Sequence, residues 1–133
     1  MNKILLFLVF GIFLSSVAMA QTDSLATEKV YTSVETVPSF PGGLNAFYNF
    51  LGKNVQYPVE AVMHHTQGKV IVSFVVEKNG RLSNVTVTKG IGSGCDEEAA
   101  RVLKHSPKWK PGTQGGKPVR VAYSVPISFS LTN

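Results

Sequence analysis

The chain has 133 residues, of which 44% are hydrophobic, and this length suits one domain with its own apolar core. Thirteen lysines and arginines against eight acidic residues give a formal net charge of +5, mostly carried by isolated side chains. Such a mild, scattered excess is typical of a solvated surface and argues against nucleic-acid binding. Cys95 is the single cysteine, which excludes an intramolecular disulfide.

The first twenty residues have the layout of a secretory signal peptide. Lys3 precedes an almost uninterrupted apolar run from Ile4 to Val17, and Ala18-Met19-Ala20 supplies small residues where signal peptidase reads. The run falls slightly short of the roughly 20 apolar residues that a membrane-spanning helix needs. No basic stop-transfer cluster follows it. Cleavage after Ala20 is therefore favoured over an uncleaved membrane anchor.

The predicted domain begins after a polar segment. Residues 21–38 show no periodicity and are predicted to be a linker or disordered leader, which leaves 39–133 as the folded part. Gly42-Gly43 ends a turn, and the next residues place an apolar helical face at i, i+3, i+4 and i+7: Leu44, Phe47, Tyr48 and Leu51. A second, short helix is predicted from Tyr57-Pro58 to before Gly68, with Pro58 in its first turn and Ala61 and Val62 on its inner face.

Two strands and a third helix follow. Val70, Val72, Phe74 and Val76 lie at every second position and predict a strand, and Ile71 and Val75 suggest that its other face is also partly covered. Asn79-Gly80 predicts a tight hairpin with positive φ at both turn residues. The strand returns from Arg81 to Lys89. The third helix opens with acidic residues and closes with basic ones, as the helix dipole favours: Asp96, Glu97 and Glu98, then Arg101, Lys104 and His105.

The last predicted strand has apolar residues at every second position from Val119 to Leu131. Pro126 lies on the opposite parity and has no N–H to donate, which predicts that this strand lies at the rim of the sheet. The chain is therefore predicted to be an α+β domain, a three-stranded antiparallel sheet with helices packed on one face.

No set of residues forms a catalytic or metal-binding pattern. His64 and His65 are adjacent and point about 100° apart on a helix, so they do not share a metal readily. Cys95 has no orienting acid, and the acidic run at 96–98 suits a helix start better than paired catalysis. Trp109 is interpreted as a buried anchor. We predict no catalytic residues, no metal, no cofactor and no enzyme activity.

The order of motifs from Gln56 to Phe129 resembles the C-terminal domain of the TonB family. The matching segments share their order along the chain: Gln56-Tyr57-Pro58, Gly68 to Val76, Asn79-Gly80-Arg81, Asn84-Val85, Glu97-Glu98-Ala99, Trp109-Lys110-Pro111-Gly112, Gly116-Lys117-Pro118-Val119, Pro126 and Phe129. Two further segments, Phe40 to Gly43 and Gly90 to Glu98, resemble a sub-branch of that family. The resemblance covers about two-thirds of the chain after the signal.

This resemblance implies a periplasmic module that captures a short segment, the TonB box, of an outer-membrane transporter. Capture is by strand addition to a sheet edge. The implied partner-binding residues are those of the last strand with two residues close by: Val119, Arg120, Val121, Ala122, Tyr123, Ser124, Val125, Gln56 and Tyr57.

The chain departs from TonB proper in its reach. It lacks a long proline-rich segment, and residues 21–38 extend only about 60 Å. A soluble periplasmic module is therefore the first hypothesis. A transducer anchored in the inner membrane by an uncleaved signal is the second. The third is an assembly homodimer that pairs through its edge strand, with Cys95 available for cross-linking if exposed.

Overall fold

The computed structural model of the protein describes residues 28–131. The predicted signal peptide lies outside the described residues. The elements in chain order are β1 (Val30–Tyr31), α1 (Leu44–Asn54), α2 (Val59–Met63), β2 (Gly68–Val76), β3 (Leu82–Lys89), α3 (Cys95–Lys104), β4 (Gly112–Gln114) and β5 (Lys117–Phe129).

The predicted α+β fold is confirmed. Its three main strands form an antiparallel sheet with β2 between β5 and β3, and two short strands that the sequence pattern did not reveal are added to it. β1 pairs with β5 in parallel, and β4 forms a hairpin with the first residues of β5. Part of the predicted leader, residues 28–38, thus lies against the domain.

The core lies between one face of the sheet and the helices. Alternate side chains of β2 point into it and are almost fully buried: Val70, Val72, Phe74 and Val76. The helices cover them with Phe47 of α1, Ala61 of α2 and the stripe of α3 formed by Ala99, Val102 and Leu103. The prediction for α2 was partly wrong, because Val62 is 46% exposed and Pro58 precedes the helix as its N-cap.

The hairpin between β2 and β3 also differs from the prediction. Only Gly80 has positive φ, at 87°, and Asn79 does not. Gly80 N–H donates to Glu77 O over 2.8 Å, which is the pattern of a type I turn followed by a left-handed glycine. Gly80 also lies against Trp109, whose backbone N–H donates to Gly80 O over 2.9 Å. A Cβ on Gly80 would come within 2.1 Å of Trp109 O. Glycine is therefore required both by the positive φ and by this close approach.

The two ladders of β2 differ in regularity. Its pairing with β5 runs from Gly68↔Phe129 to Val76↔Val121 without a register shift. Its pairing with β3 is interrupted by two shifts, one of them opposite Asn84, which has φ 52°. A residue inserted in this way bends and twists the strand that carries it. β5 is therefore the straighter of the two outer strands.

Candidate functional site

The outer edge of β5, away from β2, is defined by the parity of its prolines. Pro126 faces Ile71 of β2 but has no N–H to donate. Because strand residues direct their N–H and C=O alternately to the two sides, the odd-numbered residues of β5 bond to β2. The backbone N–H and C=O groups of the even-numbered residues point to the outer edge, except that the two prolines have no N–H. These residues are Pro118, Arg120, Ala122, Ser124, Pro126 and Ser128. Arg120, Ala122 and Ser124 are thus three consecutive donors bracketed by two prolines.

The first part of this edge is occupied by β1. Val30 lies opposite Arg120 and Tyr31 opposite Val121, in parallel. Arg120 reinforces this pairing through its guanidinium, whose Nη1 donates to Glu28 O over 2.9 Å. The same guanidinium binds the Glu77 carboxylate, with Nε to Oε1 at 2.7 Å. The hydrogen bonds from Arg120 hold the pKa of Glu77 below its usual range.

The second part of the edge, from Ser124 onwards, has no paired strand among residues 28–131. It borders an open groove of about 290 Å³ between β5 and α1. Three large apolar side chains line this groove yet remain exposed: Val37 (59%), Leu44 (64%) and Tyr48 (57%). A second groove continues from Tyr48 and Pro126 along Ile127 to Ser130. The open half of the edge therefore runs beside a continuous apolar furrow.

The first groove has a buried aromatic base. Trp109 is only 4% exposed, and its ring lies 5.3 Å from Phe74 and 5.6 Å from Phe47 between centroids. Its indole N–H donates to Ser106 Oγ over 2.8 Å, which satisfies the polar atom. The predicted buried anchor is confirmed, and it also lines the groove beside Tyr123.

Gln56 and Tyr57 lie at the far end of β5, away from Val119. The Tyr57 ring packs edge-on against Phe129, with centroids 5.6 Å apart, and its hydroxyl donates to Thr66 O. Burial raises the pKa of Tyr57. Gln56 N–H donates to the Glu98 carboxylate over 2.7 Å. The structure thus brings Tyr57 to the second groove and leaves its neighbour Gln56 exposed outside the groove lining.

Glu98 connects α3 to the segment before α2. Arg101 Nε donates to Glu98 Oε1 over 2.7 Å, and Arg101 Nη2 reaches Asn54 O at 3.0 Å. The hydrogen bonds from Arg101 hold the pKa of Glu98 below its usual range. This network fixes the loop that carries Gln56 and Tyr57.

The predicted residues within β5 alternate between buried and exposed side chains. Val121 and Val125 are buried, and Tyr123 is half-buried against Trp109. Ala122 and Ser124 are exposed, and Ser124 Oγ lies 2.7 Å from Ser73 Oγ. Val119 pairs with Gly112 of β4. What this strand offers at its outer edge is therefore mainly backbone.

Sequence reasoning missed β1 and the groove-lining residues before α1. Val30-Tyr31 joins a β-branched residue to an aromatic one, which favours a strand, but two residues are too short for a periodicity. Val37 belongs to the polar-looking leader and carries no pattern either. Their role follows from tertiary packing alone.

The structure gives no support to thiol chemistry. Cys95 is 0% exposed, and burial, with smaller contributions from Asp96 and Glu97, raises the pKa of its thiol. Burial also removes it from intermolecular cross-linking. In residues 28–131, no three His, Cys, Asp or Glu side chains are grouped to hold a metal ion. Within the same range, no helix combines the length and apolar character needed to cross a membrane.

Comparison with known proteins agrees with the predicted resemblance. The profile of the family described as Gram-negative bacterial TonB protein C-terminal matches residues 53–131, more than half of the chain. Protein TonB of Pasteurella multocida (strain Pm70) is 32% identical over 94 residues, covering 68% of this chain and 36% of that protein. The chain thus matches about a third of the length of this relative.

Two solution NMR structures of the Helicobacter pylori TonB C-terminal domain, of different lengths, share the fold. The longer superposes with a TM-score of 0.50 at 22% identity and covers 70% of this chain and 88% of that one. The shorter gives 0.50 at 20% identity, with coverages of 67% and 94%. β1 and most of α1 precede the residues that the family profile matches.

The fold and the site define the class: a small α+β domain of the TonB C-terminal type, whose last strand presents a straight, partly open edge. The chain belongs to the TonB C-terminal domain family, whose members are non-enzymatic modules for periplasmic protein interaction in transport.

Proposed function

We propose that this protein is a periplasmic interaction module that binds an extended segment of a partner by strand addition to the outer edge of β5. The partner class favoured by family membership is an outer-membrane transporter with a TonB box. The observation that carries the proposal is the unpaired, regular edge from Ser124 to Ser128, next to an apolar furrow. Main-chain hydrogen bonds supply the affinity in this mode of recognition.

The furrow supplies selectivity for apolar side chains. A strand added beside Ser124 extends over the groove between β5 and α1, because strands lie about 4.8 Å apart. Alternate side chains of that strand then point towards Phe47 and Trp109, which line the groove. Burial of one large side chain there contributes about 1.5–3 kcal/mol. A bound segment with apolar residues at every second position fits this arrangement.

Pro126 sets a boundary within the edge. It offers a carbonyl but no N–H, so the added strand gains one hydrogen bond fewer at that position. Ser128 is the next donor on the same side, beside the groove lined by Tyr57. Gln56 and Tyr57 therefore act on the end of the bound segment that passes Pro126, whereas Ala122 and Ser124 bind its other end.

The periplasmic location rests on the signal-type segment 1–20. Binding at the edge of β5 requires no anchor, and a diffusible module is the form that we propose. Intact mass and N-terminal sequence of the native protein decide this point. A mature chain starting at Gln21 in the soluble fraction supports the proposal, and a membrane-bound chain that retains Met1 overturns it in favour of an anchored transducer.

The strand-addition step is tested by replacing one edge donor. Ser124→Pro removes an N–H from the outer edge, at a parity where Pro118 and Pro126 already occur, so the fold is preserved. Ser124→Ala is the matched control, since it keeps the N–H and removes only the hydroxyl that faces Ser73. Affinity for a synthetic TonB-box peptide is measured by calorimetry.

We expect Ser124→Pro to weaken the peptide about tenfold, the loss of a main-chain hydrogen bond together with steric hindrance from the ring. Ser124→Ala should bind as the unmodified chain does. Equal affinity of all three chains contradicts strand addition at this edge. A larger effect of Ser124→Ala than of Ser124→Pro contradicts it as well, because the hydroxyl would then be the contact.

A further inference from the structure

β1 occupies the same edge of β5 that the proposed function assigns to a partner. We infer that Glu28–Tyr31 is an intramolecular competitor, a segment of the chain that covers Arg120 and Val121 and has to leave before a partner strand uses the full edge. This inference rests on the proposed function for its consequence, but the covering of the edge is a separate and separately measurable property.

The contacts of this segment are polar and lie at its start. Glu28 O accepts a hydrogen bond from Arg120 Nη1 at 2.9 Å, and the Glu28 carboxylate pairs with Lys78 Nζ at 2.8 Å. The Lys78–Glu28 pair is exposed on both sides, with 50% and 38% of the side chains accessible, so it is weak. Neither Val30 nor Tyr31 is buried in the core. The segment is held by backbone pairing and polar contacts rather than by core packing.

Arg120 belongs to both arrangements. Its N–H and C=O point to the outer edge, where β1 now pairs, and its guanidinium is fixed by Glu77 at the end of β2. Because Glu77 holds the guanidinium independently of Glu28, Arg120 stays in place when β1 leaves. The edge that β1 exposes is therefore already ordered for another strand.

The parallel register identifies which residue of β1 makes the pairing. Val30 faces Arg120 as its ladder partner, and in a parallel ladder the hydrogen bonds of Arg120 go to the neighbours of that partner. Tyr31 therefore bonds to the edge of β5, whereas Val30 directs its N–H and C=O away from it. The two adjacent residues thus provide a test variant and a matched control.

The covering is also incomplete. β1 ends at Tyr31, and the chain then turns to β4, where Thr36 pairs with Thr113. Ser124 to Ser128 is left without a paired strand among the described residues. A partner strand can therefore bind first to the unpaired part of the β5 edge beside the grooves. It displaces β1 only as it extends towards Arg120. A longer segment gains more from this extension than a shorter one.

The experiment uses the whole chain with Tyr31→Pro, which removes the N–H that pairs with β5, and with Val30→Pro as the control. Hydrogen exchange at the amides of Arg120 and Ala122 reports whether β1 covers the edge, and Ser124 serves as the internal reference. We expect exchange at Arg120 and Ala122 to become about tenfold faster in Tyr31→Pro and to stay unchanged in Val30→Pro.

Affinity for a TonB-box peptide long enough to reach Arg120 reports the competition. We expect Tyr31→Pro to bind it several-fold more tightly, because the competent edge is more populated, and Val30→Pro to bind as the unmodified chain does. Unchanged exchange in Tyr31→Pro overturns the inference. Faster exchange with unchanged affinity also overturns it, because β1 would then cover the edge without competing. If no chain binds the peptide but exchange changes, the proposed function fails and the covering by β1 stands.

Discussion

The sheet has two edges, and they are built in opposite ways. The β3 edge is irregular, with two register shifts and a left-handed Asn84, and its exposed side chains are polar, among them Thr86, Thr88 and Lys89. The outer edge of β5 is regular along its whole pairing with β2 and borders two apolar grooves. Bulges and lysines are ways in which sheet edges avoid pairing with other chains.

This difference indicates that another strand can pair with the outer edge of β5 and not with the edge of β3. A twisted edge with a bulge is a poor template, because its N–H and C=O groups do not follow a single line. The β5 edge offers such a line, and its exposure is limited by prolines at 118 and 126 and by the short cover of β1. The predictions below alter one edge or its support and leave the other as a reference.

The largest effect is expected from removing the aromatic base of the groove beside β5. Trp109→Ala deletes a side chain that contacts Phe74 and Phe47 and should lower the free energy of unfolding by about 3–5 kcal/mol. Denaturant unfolding measures it. Trp109→Phe keeps a ring in place and should lose clearly less. If both variants lose the same free energy of unfolding, the indole hydrogen bond to Ser106, and not the packing, stabilises this aromatic base.

A smaller effect is expected at Gly80, which ties the β2–β3 hairpin to Trp109. Gly80→Ala should lower the free energy of unfolding by about 2–3 kcal/mol, because the added Cβ clashes with Trp109 O and the positive φ is unfavourable for alanine. Gly92→Ala isolates the second cost, because Gly92 has φ 80° and no atom within 4 Å of the added Cβ. Gly92→Ala should lower the free energy of unfolding by about 1 kcal/mol. Similar losses at both sites in denaturant unfolding would contradict the close approach to Trp109.

The irregularity of the β3 edge is tested at Asn84. Asn84→Val places a β-branched residue at φ 52° and should cost about 1–2 kcal/mol. Asn84→Gly is the control, because glycine adopts this φ without steric strain, and it should destabilise the chain clearly less than Asn84→Val does. Thermal unfolding measures both. A stable Asn84→Val chain that dimerises would show that the bulge is what keeps this edge from pairing.

The smallest effect is expected in the pH dependence of stability. The pKa of Glu98 is lower in the folded chain, so the unfolded chain binds the proton more readily. The stabilisation from Glu98 is therefore complete above the ordinary carboxyl pKa of about 4.3 and is lost as the pH falls through the lowered value. Glu98→Gln should flatten this acid limb of the unfolding free energy. If the unfolding free energy of the variant falls equally steeply at acid pH, other carboxylates cause this decrease, and Glu77→Gln is the next test.

Much of the fold could be predicted because its signals are long. β5 repeats its alternation over thirteen residues, and α3 carries acidic and basic ends together with a buried stripe. β1 and β4 have two and three residues, so no periodicity exists to be read. The turn at Asn79-Gly80 took a different form from the expected one because Gly80 lies on Trp109, a contact that the local dipeptide does not contain.

The candidate site could be predicted only in outline. Proline parity in β5 indicated an outer edge, and that property is local. Which part of the edge is open depends on where β1 and α1 pack, and neither element carries a sequence signal for that position. The placement of Tyr57 beside Phe129, and of Gln56 against Glu98 of α3, likewise depends on residues that are distant in the sequence.

The most direct test of the central claim is a titration of the isotopically labelled chain with a TonB-box peptide, followed by backbone amide chemical shifts. The account predicts changes at the outer-edge amides of β5, namely Ala122, Ser124 and Ser128, with smaller changes at Arg120 as β1 is displaced. It predicts none at Thr86 and Thr88 of β3. Shifts confined to β3, or binding without any shift along β5, would contradict strand addition at this edge.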